Sequence, residues 1–228
     1  MPDAVLLEWE GVLTDTASAR QDALVAALAA EGMHLDATAW RAHSDGRALR
    51  DAVTSALAYF GRTDDTLADL VVLRATRAFA SQQEQGFVLL PGAREFVEQA
   101  QIGSRVAIVT SATHSETEFV LRLAGLDGAV STIVSADDVL DSPPASAVYE
   151  RALGQLGRLR PLRRDRVVAI ATTSSALQAA RAAGIRTVAL GVPAHVAVDA
   201  DGAVDAIDGL TVGDLADLAG IATEERLR

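Results

Sequence analysis

Short apolar runs alternate with stretches of helical period along most of this chain. The runs are Ala4–Trp9, Val106–Thr110, Thr132–Ser135, Val167–Ala171 and Thr187–Leu190. Between the last four lie three helical patterns. The first, near Glu116–Leu123, stops at Gly125; the second sets Tyr149, Leu153 and Leu156 on one face; the third, Leu177–Ala183, stops at Gly184. A glycine just past the last periodic residue is a usual helix stop. A short helix over Val212–Leu218 is expected after Thr211, whose hydroxyl suits an N-cap. Strands alternating with helices predict βαβ units and a parallel sheet.

One segment breaks the alternation. From about Ala17 to Gly86 the pattern is helical only. Leu24 and Leu28 share a face, and Leu67, Leu70, Val71, Ala75, Ala78 and Phe79 form another at three/four spacing. A helical block inserted after the first strand reads as a cap. The expected fold is therefore α/β: a Rossmann-like parallel-sheet core over 1–15 and 88–228, with an inserted all-helical cap over 16–87.

Composition narrows the function classes. The chain has 228 residues, half of them apolar, enough for one such core and an insertion. A formal charge of −11 argues against binding nucleic acid or an anionic membrane, since both need a basic footprint. No apolar stretch is long enough to predict a spanning helix, and the acids near the N-terminus do not fit a secretory signal. The expected location is cytoplasmic. There is no cysteine, hence no disulfide or thiolate metal site. All 20 basic residues are arginine, so chemistry that needs a lysine ammonium is excluded.

In open parallel sheets ligands bind beyond the carboxyl ends of the strands. That directs attention to Glu8–Asp15, Thr110–His114, Ser135–Pro144 and Ala171–Ser175. Strand alternation projects Glu8 and Glu10 to one side and Trp9 to the other. Two carboxylates at the mouth of a buried strand are poor packing residues, because burying them unpaired is costly.

Here the chain resembles the haloacid dehalogenase superfamily, in its cap-bearing branch with phosphoglycolate phosphatases and β-phosphoglucomutases. The family's first motif, D-x-D-G-x-L-x-D-[ST], is matched by Glu8 to Thr16, EWEGVLTDT, with both leading aspartates replaced by glutamate. The likeness continues through Leu90-Pro91-Gly92-Ala93, Ala107–Ser111 and Ala179–Gly184, and so spans the chain. It implies phosphoryl-transfer chemistry with Mg²⁺ on a small phosphorylated metabolite. Glu8 would take the nucleophile's place and Glu10 that of the general acid/base, the same two residues also serving the metal. Thr110 would supply the hydroxyl of the second motif, with Asp15, Arg47, Ser111 and His114 as substrate contacts.

The departures from the family pattern matter as much. Glutamate is longer than aspartate by one methylene, which moves the carboxylate by roughly an ångström; misplacement on that scale costs about a hundredfold in rate. The third motif's lysine falls on Ser142 or Pro143. Arg163, Arg164 and Arg166 belong to the opposite end of the sheet, leaving Arg47 and His114 as the nearby cations. The fourth motif's acids fall on Ala171, Thr172 and Thr173, and Asp137 and Asp138 suit a loop or capping role. Since Mg²⁺ is usually held by one or two carboxylates with waters and phosphate, its binding is expected to be weak. The two glutamates left would repel a phosphate dianion. The expectation is a degenerate site with no, or only vestigial, phosphatase activity and a binding or regulatory role. The alternative is a working hydrolase with Glu8 as nucleophile and Glu10 as acid/base. Oligomeric state is open.

Overall fold

The computed structural model describes residues 1–44, 47–138 and 146–221. Its sheet contains β1 (Ala4–Glu8), β2 (Arg105–Val109), β3 (Thr132–Val134), β4 (Val167–Ala171), β5 (Arg186–Leu190) and β6 (Gly202–Val204). The order is β3-β2-β1-β4-β5-β6, and every neighbouring pair is parallel. The first five strands match the expected runs to within one residue at either end. Strand β6 was not expected: it has three residues, none fully buried, and carries no apolar run. Asp201 anchors it, accepting the Thr187 N–H at 2.8 Å and the Thr187 hydroxyl at 3.1 Å.

The insertion after β1 is helical, as expected: α1 (Ala17–Ala29), α2 (Ala37–His43), α3 (Leu49–Tyr59) and α4 (Asp65–Gly86). Asp36 caps α2 through Thr38 and Ala39 N–H, and Asp64 caps α4 through Thr66 and Leu67 N–H. The cap has its own core, in which Leu24, Leu28, Val53, Leu57, Leu67 and Val71 meet. One expected face member differs. The buried stripe of α4 runs through Leu67, Val71, Ala75 and Phe79, and Leu70, one residue off that line, is 37% exposed.

The remaining helices are α5 (Ala93–Gly103), α6 (His114–Leu123), α7 (Ala147–Leu159), α8 (Ser174–Ala182), α9 (Ala194–Ala197) and α10 (Val212–Leu218). Thr211 does cap α10, in a reciprocal box with Asp214. The pleat divides β1 between two layers. Val5 and Leu7 pack with Ile108 and Ile170 against Phe96, Val120 and Leu215; Leu6 packs with Ala107 and Ala169 against Tyr149, Leu156 and Ala180. Truncating any of the buried leucines to alanine costs about 2–5 kcal/mol.

Cap and core are joined at a double linker. Leu90 N–H donates to the Leu13 carbonyl at 2.9 Å, and Thr14 bridges Leu89 in antiparallel fashion. Above it, Phe79 of α4 joins the same cluster as Trp9 and Leu13, so the cap is seated on the core through apolar contact.

Candidate active site

Successive strands step away from β1 in opposite directions, β2 and β3 on one side and β4 to β6 on the other. The crevice at such a switch point lies beyond the carboxyl ends of β1 and β4. Glu8 ends β1 there. Its Oε2 accepts the main-chain N–H of Thr172 at 2.6 Å and the Thr172 hydroxyl at 2.9 Å. Burial pushes the Glu8 carboxyl above the usual carboxylate range, and the hydrogen bonds from Thr172 and Thr173 pull less strongly the other way. Buried Tyr149 stands close enough to feel that charge: burial first, and Glu8 second, push its phenol well above the ordinary tyrosine value.

After Glu8 the chain turns sharply. The Trp9 carbonyl accepts from Leu13 and Thr14 N–H, both at 3.2 Å. Gly11 has φ +77°, and a Cβ built on it would lie 2.9 Å from Thr172 Cγ2. Glycine is required twice over, for the left-handed backbone and for the close approach. The turn carries Glu10 out of line with Glu8. Glu10 Oε2 accepts Thr16 N–H at 3.0 Å, while Oε1 accepts the Thr16 hydroxyl and, at 2.6 Å, Arg20 Nη2. Each glutamate therefore has its own set of partners. Arg20, on the first turns of α1, also corrects the expectation that Arg47 and His114 are the nearby cations.

The other expected residues scatter. Thr110, just beyond β2, is buried, and its hydroxyl oxygen accepts Ala112 N–H at 3.0 Å. His114 heads α6, where its N–H donates to Asp137 Oδ2 at 2.8 Å and its ring lies 4.0 Å from Asp138. Asp138 in turn accepts Ser135 N–H and hydroxyl, both at 3.0 Å, and pairs with Arg151. These are the loop and capping roles expected of the two aspartates. Asp15 is exposed and lines a second cleft at the linker, with Gln82, Phe87 and Pro91. Ala171 ends β4, and Thr173 caps α8 through Ala176 N–H at 3.2 Å. Arg164 and Arg166 pair with Glu150 and Asp3, away from the crevice. The third-motif positions Ser142 and Pro143 lie outside the described residues.

Between cap and core is a cavity of about 270 Å³. Glu10, Arg20, Gln21, Ser44, Arg47, Ser111 and Glu116 contribute its polar lining, and Leu24, Trp40, Leu49 and Phe79 are prominent in its apolar wall. It gathers Glu10, Arg47 and Ser111 of the expected site; Glu8, Thr110, Asp15 and His114 do not line it. Two arginines face two glutamates, so the expected strongly negative mouth is corrected to a lining of balanced charge.

The donor set does not fit the Mg²⁺ that the resemblance implies. Among the described residues no three His, Asp or Glu side chains converge. The Glu8 oxygen nearest β4 is already satisfied by Thr172, and Glu10 is occupied by Thr16 and Arg20. Neutral hydroxyls stand where a hard divalent cation needs carboxylates.

A parallel sheet in this order, with a helical insertion after β1 and an acidic residue ending that strand, defines a capped Rossmann-like hydrolase scaffold. The chain belongs to the haloacid dehalogenase-like hydrolase family, whose model matches residues 11–190. Among solved structures, it is similar to CbbY from Rhodobacter sphaeroides, in complex with phosphate: 23% identity, 94% of this chain and 99% of that one covered, TM-score 0.78. It is also similar to β-phosphoglucomutase from Clostridium difficile (16%, 100% of both chains, TM-score 0.80) and to a HAD hydrolase, family IA, variant 3, from Entamoeba histolytica (16%, 96% and 99%, TM-score 0.74). Identities this low establish the shared fold. No curated protein matches the sequence.

Several lining residues were missed in the sequence, Arg20 and Ser44 among them. Arg20 lies four positions after Thr16, one helical turn along α1, and that spacing was the available signal. Ser44 gave none: a serine at a helix end is ordinary, and only its burial distinguishes it.

Proposed function

We propose that this chain is a haloacid dehalogenase-like protein that has lost Mg²⁺-dependent phosphatase chemistry, retaining at most vestigial turnover, and whose cap–core cavity serves a binding or regulatory role. We place the core at 1–15 and 88–228 and the cap at 16–87. The observation that carries the reading is the pair of hydrogen bonds from Thr172 to Glu8. A carboxylate at residue 172 would share a cation with Glu8; a threonine there instead satisfies Glu8 directly. Phosphoryl transfer depends on positioning and on stabilising charge at the phosphoryl oxygens. Here Glu8 is turned toward β4 and Glu10 is tied to Arg20, which supports binding without turnover.

Calorimetric titration of Mg²⁺ into the wild type and Thr172→Asp tests the reading. The wild type is expected to show no saturable binding in the millimolar range, and Thr172→Asp to gain it. Equal affinity in the two proteins would remove the basis of the proposal.

A further inference from the structure

We propose that the cap–core cavity binds an apolar monoanion, such as an aryl- or alkyl-carboxylic acid, rather than a phosphorylated sugar; this rests on the non-catalytic reading above. Leu24, Trp40, Leu49 and Phe79 form walls that offer a ligand no hydrogen bonds from their side chains beyond the indole N–H. A polyhydroxylated sugar would leave its hydroxyls unpaired against them, and that costs about 1–3 kcal/mol per group in binding. At about 270 Å³ the space falls just below the usual range of ligand cavities, which run from about 300 Å³ upward, and so suits a small ligand.

Ser44 and Arg47 offer polar groups to a ligand. Ser44 is 3% exposed, and its Oγ has no hydrogen-bond partner. A buried hydroxyl left unpaired is costly, so a lining hydroxyl of this kind points to an absent acceptor. Arg47 lies beside it, its N–H donating to the Ser44 carbonyl at 3.3 Å. Its guanidinium makes no ion pair among the described residues, whereas Arg20 is paired with Glu10. Glu116 is satisfied by the N–H of Thr113 in the capping box of α6.

Charge decides which anion fits. Arg47 is the lining guanidinium with no ion pair among the described residues, and with Arg20, Glu10 and Glu116 it makes a lining of no net charge. A dianion would carry one more negative charge than a monoanion into a partly dry cavity beside two glutamates, where repulsion between like charges is poorly screened. A carboxylate carries a single charge and matches the planar fork of arginine.

Amide-resolved NMR titrations with 3-phenylpropionate, phenyl phosphate and 3-phenylpropanol test this. 3-Phenylpropionate is expected to saturate, with shifts at the cavity, and to bind about tenfold or more tighter than either comparison ligand. Arg47→Ala is expected to lose about tenfold in affinity for it. Ser44→Ala is expected to weaken binding several-fold while leaving the unliganded Tm unchanged or higher; a purely structural serine would lower that Tm. The proposal is overturned by absence of saturable binding of 3-phenylpropionate, by unchanged affinity in Arg47→Ala, or by tighter binding of phenyl phosphate. Phosphate release from phenyl phosphate, read in the same samples, contradicts the non-catalytic reading alone, because 3-phenylpropionate and 3-phenylpropanol contain no hydrolysable bond.

Discussion

Thr172 donates twice to one oxygen of Glu8, through its main-chain N–H at 2.6 Å and through its hydroxyl at 2.9 Å. The two residues are far apart in sequence but end neighbouring parallel strands, so the contact is a product of the sheet. It sits at the switch point of the sheet and presents neutral donors there. The consequences reach stability as well as chemistry.

Burial raises the Glu8 carboxyl above its ordinary value of 4.5. In the unfolded chain the acid ionises near that value, so the folded state is favoured at lower pH. The stability contributed by the protonated form is fully present below about 4.5 and is lost as pH rises through the folded value. Glu8→Gln keeps an acceptor for Thr172 and removes the buried charge. Its Tm at pH 7–8 should exceed the wild type's. The gap should close as pH falls toward 4.5. Thermal denaturation of both proteins across that range checks the sign; a lower Tm for the variant at neutral pH counts against it.

The Arg20–Glu10 pair is three-quarters buried on both sides, at 2.6 Å. Removing Arg20 leaves Glu10, among the described residues, with the two donors of Thr16. Arg20→Ala should destabilise the protein by about 1–2 kcal/mol, and the double variant Arg20→Ala/Glu10→Gln should recover about half of that loss. Urea denaturation of the four members of the cycle measures the coupling. Additive losses would show that the pair is incidental.

Gly11→Ala combines a left-handed backbone with a Cβ that meets Thr172. A loss of about 1–3 kcal/mol is expected. Because the three nearest atoms all belong to the Thr172 side chain, Thr172→Ala in the same chain should recover part of it, with the backbone strain remaining. Chemical denaturation of single and double variants separates the two contributions.

Much of this fold was legible from residue pattern. Buried parallel strands such as Val167–Ala171 leave continuous apolar runs, and helices such as α8 end at a glycine. The strand β6 was not legible, since three half-exposed residues carry too little hydrophobic signal and are fixed by Asp201 from outside the strand. The site was read less completely. Alternation placed Glu8 and Glu10 together, but β1 ends at Glu8 and the turn at Gly11 redirects the second carboxylate toward α1. Arginine pairing across that turn is a property of how the cap leaves the core, which spacing alone does not reveal. The balanced charge of the cavity follows from the same contact.

Release of phosphate from p-nitrophenyl phosphate with and without Mg²⁺ tests the central claim most directly, in the wild type and in Glu8→Gln. The account predicts no Mg²⁺-dependent turnover above the uncatalysed blank, and no difference between the two proteins. Mg²⁺-dependent turnover in the wild type that disappears in Glu8→Gln would contradict it.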